Sequence, residues 1–475
     1  MIWNKYLCLL VILCCFSRGV YGQVLVKGDS VLTGHKHYIP SWSFEKDSSF
    51  FVSFKVFIEG KLTHELHRFD WNMNPTKEVI YLDGHLENLN SVGSAYFKED
   101  LIHITQVEEK DSLKFYIQSI DLNDLVKSKN QFFTAFAKKE TGRKSEFQTF
   151  HISNDTSKLA FIYSVPVSFS ENEKIRIVEF NDQFNVSRTD DFDLGRSQNV
   201  ISILDVDYCN NGDAYVLVKV KSSPGFYFEC YRLTPGKAAV LVDRIQKVDN
   251  VLMGVVDDQL YLLSSFALHT NSGTRGLLIK SQDIHEPVNI KSHVINFDID
   301  YFKSHTPEKK HKKLVKSISS GVPFAKDKIL IYGFHKIGEE FILIGHKLDG
   351  DYLHHKIFVY GLNKNFEMKW SKSFEGSNPF VMVDPTKIRL NLIYFDLRFT
   401  LERFKNFDSE LILAKFDSQG MISSTMVEKD FVEGIRAGAI GNSGTGNEAI
   451  LFRSDEFKTI SSYQYLFWLY RLNLE

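Results

Sequence analysis

From Ile201 onward the chain alternates short apolar runs with clusters of turn-forming residues. Ile201 to Tyr208 reads as a strand. Asn210-Asn211-Gly212-Asp213 follows, a turn in which Asn and Gly tolerate positive φ. Ala214 to Lys221 alternates apolar and polar side chains and reads as a second strand. Ser222-Ser223-Pro224-Gly225 turns the chain again. Phe226 to Leu233 is a third strand, closed by Thr234-Pro235-Gly236, and Ala238 to Asp243 supplies a fourth.

The same shape recurs at Ser48 to Asp70, Ala95 to Leu122, Phe150 to Phe184, Val251 to Ile284, Glu340 to Trp370, Ile388 to Gly420 and Ala437 to Leu474. With the unit at Ile201 this makes eight copies, and the third strand of a copy ends in a turn bearing Asp or Asn. Starts fall roughly 50 residues apart, except for one gap of roughly 90 between the fifth and sixth. Helices do not alternate with the strands, which argues against a parallel α/β sheet. A period of about 45–50 residues with about four strands is the range of β-propellers. A single unit cannot bury both faces of its sheet, whereas sheets stacked around an axis bury each other's. The expected fold is all-β: a β-propeller of about seven to eight four-stranded blades with one short helical insertion. The alternative is a pair of β-sandwich domains.

The long gap holds the insertion, 298–324. In the run from Thr306 to Lys316, Thr306 is a good N-cap, Pro307 suits the first helical position and Glu308 suits the positive helix start. Lys309, Lys310, Lys312, Lys313 and Lys316 crowd this helix and are the candidate binding residues, in a basic lid or docking element for an anionic partner. The opposing reading is a solvated insertion that decorates the rim.

The first segment reads as an address. Lys5 is followed by an apolar run from Tyr6 to Phe16, too short to span a bilayer, which needs about 20 residues. Val20-Tyr21-Gly22 resembles a small-residue cleavage site. The expected organisation is a signal peptide at 1–22 and a single propeller domain at 23–475, exported to the periplasm, cell envelope or medium, with no transmembrane span in the mature chain. Cys8, Cys14 and Cys15 leave with the signal, so Cys209 and Cys230 remain. The turns set Cys209 near Ala214 and Cys230 near Leu217. The two lie on strands one apart, about 9–10 Å away across the sheet, which is too far for a disulfide.

Composition narrows the function classes. The chain has 475 residues, 57 Lys+Arg against 59 Asp+Glu and a net charge of −2. That near balance argues against a nucleic-acid binder, which needs a basic field. At 43% hydrophobic the chain is not disordered, and its 40 Phe and 20 Tyr favour strands.

Asp205 to Leu217 resembles the D-V-D-x-x-x-N-G-x-x-Y-V-L strand–turn–strand of large, uncharacterised exported β-propeller-like proteins of Gram-negative bacteria. Three further features are similar to that family. They are the charged helical insertion from Asn296 to Val315, the phrase Lys356 to Asn363 leading into Glu367-Met368-Lys369-Trp370, and the aromatic closing run Tyr465 to Leu472. The resemblance implies fold and export, and no activity.

Searches for catalytic chemistry mostly return turns. Gly441 to Gly446 lacks the Gly that a nucleophile elbow needs two residues after Ser443. His64 and His67 fall on opposite faces of a strand, while His35 with His37, on one strand face, could begin a metal site to which His354-His355 would add only by chance proximity. Asp205, Asp207 and Asp213 bracket one hairpin and are weak cation ligands in this pattern. Asn154-Asp155-Thr156 and Asn185-Val186-Ser187 match glycosylation sequons. No catalytic residue, metal ligand or cofactor is expected. The functional expectation is an exported binding or scaffold module for a protein or glycan ligand. The alternative is a carbohydrate-active hydrolase or lyase using carboxylates at the channel mouth. Export has a direct check: N-terminal sequencing of protein recovered from envelope or medium is expected to start at Gln23, and cytosolic protein with Met1 intact overturns it.

Overall fold

Runs of Val, Ile, Phe and Tyr with period-two alternation, punctuated by Asn, Asp and Gly, leave the backbone little choice but antiparallel hairpins. The computed structural model describes residues 25–473 apart from 28–30, 35–36, 48, 59–60, 82–88, 99, 138–146, 154, 166, 168–170, 224, 268–272, 287–288, 307, 320–327, 349–355, 384–388, 399–407, 430–435, 443–447 and 459–462. Its strands form eight antiparallel sheets. Blades 1 to 7 occupy residues 37–81, 89–137, 148–197, 201–245, 252–296, 328–375 and 377–429 in chain order, and blade 8 begins at 436. Inner strands of successive blades touch from blade 2 round to blade 8, and that of blade 8 (Arg436–Asn442) packs on that of blade 1 (His37–Lys46), closing a propeller.

Blade 4 shows how the local sequence builds the unit. Its strands are Ile201–Tyr208, Ala214–Ser222, Gly225–Leu233 and Val240–Ile245, paired with Tyr208 opposite Ala214 and Cys230 opposite Leu217. In the first turn Gly212 has φ +87°, and the Asn211 side chain accepts from the Asp213 amide at 2.9 Å. The turn after the third strand is equally regular across blades. Asp70, Asp121, Asn181, Asp283, Asn363 and Asp417 each accept the backbone N–H two residues on, at 2.7–3.0 Å. These bonds satisfy turn amides that no strand can reach.

The core lies between blades rather than within them. One cluster joins Val216, Val218 and Tyr231 of blade 4 to Ile162 and Ile177 of blade 3. A second joins Leu217 and Phe228 to Leu260 and Leu262 of blade 5, and a third joins Leu343 and Val359's neighbour Tyr360 of blade 6 to Leu263 and Ile279 of blade 5. Polar ties cross the same seams. The Asp207 carboxylate accepts the Val255 amide at 2.6 Å, Lys280 donates to Asp243 at 2.6 Å, and Asn250 donates to the Ile331 carbonyl at 2.8 Å.

Two details depart from the sequence reading. Blades 1, 6 and 7 start one strand earlier than their repeats, at His37–Lys46, Lys328–Ile337 and Ser377–Val383. A bulge interrupts each of these inner strands, between Pro40 and Trp42, Ile331 and Gly333, and Ser377 and Phe380, and an extra residue destroys the alternation by which a strand is read. Two N-terminal strands also belong to the ring. Leu25–Lys27 and Val31–Gly34 pair with the last strand, Tyr463–Asn473, so that the N-terminal strands complete blade 8.

Cys209 and Cys230 are both free and buried. Burial pushes the Cys209 thiol up to about 12, with the Asp207 and Asp213 charges adding to it, and raises the Cys230 thiol still further. A thiol reagent reacts with thiolate. At about pH 8 the native protein is therefore expected to be inert to a thiol–disulfide exchange reagent, and both thiols are expected to react once guanidinium unfolds it. Rapid reaction of either thiol in the native state, or recovery of a Cys209–Cys230 peptide under non-reducing conditions, contradicts this packing.

Candidate functional site

In a ring of four-stranded antiparallel sheets, two sets of connections share one end: the hairpins between second and third strands, and the crossings from one blade's outer strand to the next blade's inner strand. The crossings described in full, after blades 3, 4 and 6, are short, and one crossing is much longer. It runs from Asn296 of blade 5 to Lys328 of blade 6, is described at 297–306 and 308–319, and carries the insertion that breaks the ring's symmetry.

The insertion is anchored. Helix α1 (Ile299–Ser304) is capped by Asp298, whose Oδ1 accepts the Tyr301 amide at 2.7 Å. Tyr301 stacks on Phe297 with ring centroids 3.8 Å apart and shares a 3.0 Å hydroxyl–hydroxyl hydrogen bond with Tyr360 of blade 6. A 3₁₀ turn (Glu308–Lys310) leads into helix α2 (His311–Ser319), whose Leu314 is completely buried. The His311 imidazole lies 3.0 Å from the Lys303 carbonyl and 2.8 Å from that of Thr306, locking the joint between the helices. The helix expected after Thr306 is present, opening as the 3₁₀ turn and continuing as α2, and α1 precedes it as a second helix. Tyr301, Phe302 and Leu314 sit in the core cluster shared by blades 5 and 6, so the segment is a wedge in the ring as well as a surface feature.

Lys309, Lys310, Lys312, Lys313 and Lys316 all lie on the exposed side of this wedge. An ion pair within the insertion, Lys303 to Asp300 at 3.4 Å, is local to α1. Lys309, Lys310, Lys312 and Lys313 pair with no carboxylate among the described residues. Positive charge continues onto blade 6. Lys356 donates to the His305 carbonyl at 3.0 Å, and burial, reinforced by the charges of Lys356 and Lys372, holds the His305 imidazole below its ordinary value.

The acids singled out in the sequence do not converge. Asp213 is bound by the Arg232 guanidinium, with Nε at 2.8 Å. Asp207 accepts from Val255, and Asp205 accepts the Val206 amide at 2.9 Å. No group of three or more metal-binding side chains occurs among the described residues. His67 is buried against Glu65 at 2.9 Å, which accounts for it structurally. Ser443, His35 and His354-His355 lie outside the described residues. A carboxylate that the sequence did not single out has the densest charge network. Glu229 of blade 4, fully buried, receives Arg196 of blade 3 at 2.7 Å, Arg244 at 2.8 Å and the Tyr231 hydroxyl at 2.6 Å. Among the described residues no helix is long and apolar enough to cross a membrane.

No protein-family model matches the chain, and no curated protein matches it. Among solved structures it is similar to a prolyl endopeptidase, at 10% identity and a TM-score of 0.44, over 89% of this chain and 54% of that one. It is similar to oligopeptidase B from Leishmania major, at 10% identity and a TM-score of 0.43, over 89% and 53% of the two chains. The β-propeller domain of the trilobed protease from Pyrococcus furiosus, which has an open velcro topology, matches at 10% identity and a TM-score of 0.40, over 83% of this chain and 97% of that domain. The chain thus spans about half the length of the two peptidases it matches.

Glu229 and Asp207 are expected to respond to pH in opposite directions. Burial disfavours the Glu229 charge, but hydrogen bonds from Arg196, Tyr231 and Arg244 outweigh it and lower its pKa. Its stabilisation is complete above the ordinary value of 4.5 and lost as pH falls through the depressed value. Glu229→Gln is expected to lower the melting temperature at about pH 7, for a loss of ~3 kcal/mol, with the deficit shrinking below that ordinary value. Burial, with the Asp205 charge adding to it, raises the Asp207 pKa against the opposing Val255 hydrogen bond. Asp207→Asn is expected to melt higher than the parent at neutral pH, with the advantage vanishing below the ordinary 3.8, where both forms are protonated. Thermal melts across this range check both signs. A deficit for Glu229→Gln that does not depend on pH would count against the ion-pair account.

Proposed function

We propose that the protein is an exported propeller that works as a binding or scaffold module, and that its Lys-rich insertion docks an acidic glycan. One observation carries this reading: the ring's symmetry is broken by a rigidly anchored wedge that exposes Lys309, Lys310, Lys312, Lys313 and Lys316. Holding exposed cations on a fixed frame lowers the ordering cost of meeting a polyanion. The net charge of −2 means that a basic patch here is local rather than a property of the whole surface. Asp205 and Asp207 engage backbone amides, so the hydrolytic alternative draws no support from them.

Deleting the insertion is the wrong test, because it would empty Tyr301, Phe302 and Leu314 from the core. The better variant replaces Lys309, Lys310, Lys312 and Lys313 with Gln, and its control replaces the exposed Lys110, Lys129, Lys174 and Lys237 with Gln. Heparin is the probe. The insertion variant is expected to lose about tenfold or more in affinity at low salt, with a smaller salt dependence, while the control binds like the parent. Equal losses in both variants, or no loss in the first, overturn the proposal.

A further inference from the structure

Two guanidiniums share one carboxylate in the seam between blades 3 and 4. Glu229 accepts Arg196 Nη2 at 2.7 Å and Nε at 3.2 Å, and Arg244 Nη2 at 2.8 Å and Nε at 3.0 Å. The Tyr231 hydroxyl adds a further bond at 2.6 Å. A carboxylate offers about four acceptor sites, so Glu229 has no capacity left. Neither arginine pairs with another carboxylate among the described residues. The cluster therefore sets two positive charges against one negative. The excess faces water: the Glu229 side chain is 0% exposed, those of Arg196 and Arg244 34% and 43%.

Both forks are held in place from behind. A bulge delivers Arg196. Asn172 pairs with Ser197, yet Lys174 already pairs with Asp193, and Gly195 between them has φ +65°. The crossing that follows is fastened by the Gln198 amide on the Glu171 carbonyl at 3.2 Å and the Lys221 amide on that of Val200 at 2.7 Å. Arg244 lies over the Tyr227 ring, 5.0 Å from its centroid, and Tyr227 packs against the core shared by blades 3 and 4. Nη2 of both arginines touches the same oxygen, Glu229 Oε1, so the two forks are adjacent. Each guanidinium has five N–H donors and gives two of them to Glu229.

We infer that the Arg196–Arg244 pair binds a tetrahedral oxyanion, phosphate or sulfate. A carboxylate ligand has two oxygens and meets one fork, whereas a tetrahedral oxyanion has enough oxygens to meet both. Such an anion supplies the negative charge that the cluster lacks. The forks are pinned before it arrives, so little side-chain freedom is lost on binding. The site stands apart from the Lys-rich insertion, which lies between blades 5 and 6, and does not rest on the glycan reading.

The test uses the full chain and isothermal titration calorimetry at matched low ionic strength. Phosphate and sulfate are expected to bind saturably in the millimolar range or tighter, and acetate about tenfold or more weaker. Arg244→Gln is expected to weaken phosphate about tenfold. Arg244→Lys keeps the charge beside Glu229, which protects the fold, but loses the planar fork, and is expected to weaken phosphate severalfold. The lysine-to-glutamine insertion variant is expected to bind phosphate as the parent does. Phenyl phosphate separates two sources of the same chemistry: tighter binding than inorganic phosphate assigns the site to an ester, equal or weaker binding to the free ion, and either supports the site. Absence of saturable phosphate binding, acetate binding as well as phosphate, full phosphate affinity in Arg244→Gln or Arg244→Lys, or loss of binding in the insertion variant overturns it.

Discussion

The structure depends on one constraint: each sheet is apolar on both faces and can bury them only against its neighbours. Within blade 4, Val216 and Val218 face blade 3, whereas Tyr215 and Leu217 face blade 5. A single blade in water would expose one of those faces at a cost of about 25 cal/mol for every Å² of apolar surface. Burial is therefore complete only when the ring closes, and the closing contact is between blades 8 and 1. Pairing of Leu25–Lys27 and Val31–Gly34 with the last strand reinforces that contact with backbone hydrogen bonds: the last strand cannot leave blade 8 without breaking strand pairs made by the chain's own beginning.

Ring closure also explains which parts of the fold could be read from the chain. The second and third strands of each blade are sandwiched, so they appear as dense apolar runs such as Ala214–Ser222 and Leu159–Val165. The turns after most third strands are equally legible, because a short Asp or Asn side chain there supplies an acceptor for the stranded amides; blade 4 instead uses Thr234-Pro235-Gly236. Inner strands must bend around the axis. Bulges in those of blades 1, 2, 4, 6, 7 and 8 provide the bend. Each bulge shifts the alternation by one residue; the inner strands of blades 1, 6 and 7 went unread, whereas Ile201–Tyr208 of blade 4 was legible despite its bulge because the Asn211-Gly212 turn marks its end. The N-terminal strands were hidden for another reason: Leu25–Lys27 and Val31–Gly34 are too short to show a period, and their partners lie at the far end of the chain.

The candidate sites divide along the same line. The lysine-rich insertion was legible because it interrupts a repeat and concentrates one charge within a few residues. Its anchoring was not, since Tyr301, Phe302 and Leu314 declare themselves only once Tyr360 and Phe358 are known to face them. Glu229 was illegible for a stronger reason. Arg196, Glu229 and Arg244 come from three strands of two blades and meet at a seam that exists only after the blades dock. Nothing in the local spacing of these residues distinguishes them from surface polar positions.

The bulge at Gly195 shows how structure and site share one device. Removing it would restore continuous pairing between the third and outer strands of blade 3, which stability alone would favour. The extra residues instead carry Arg196 across the seam to Glu229, and so link the outer edge of blade 3 to blade 4 where apolar packing gives way to solvent. A β-sheet yields its hydrogen-bond ladder only where something else is gained. Here the gain is an ion pair that holds two blades together.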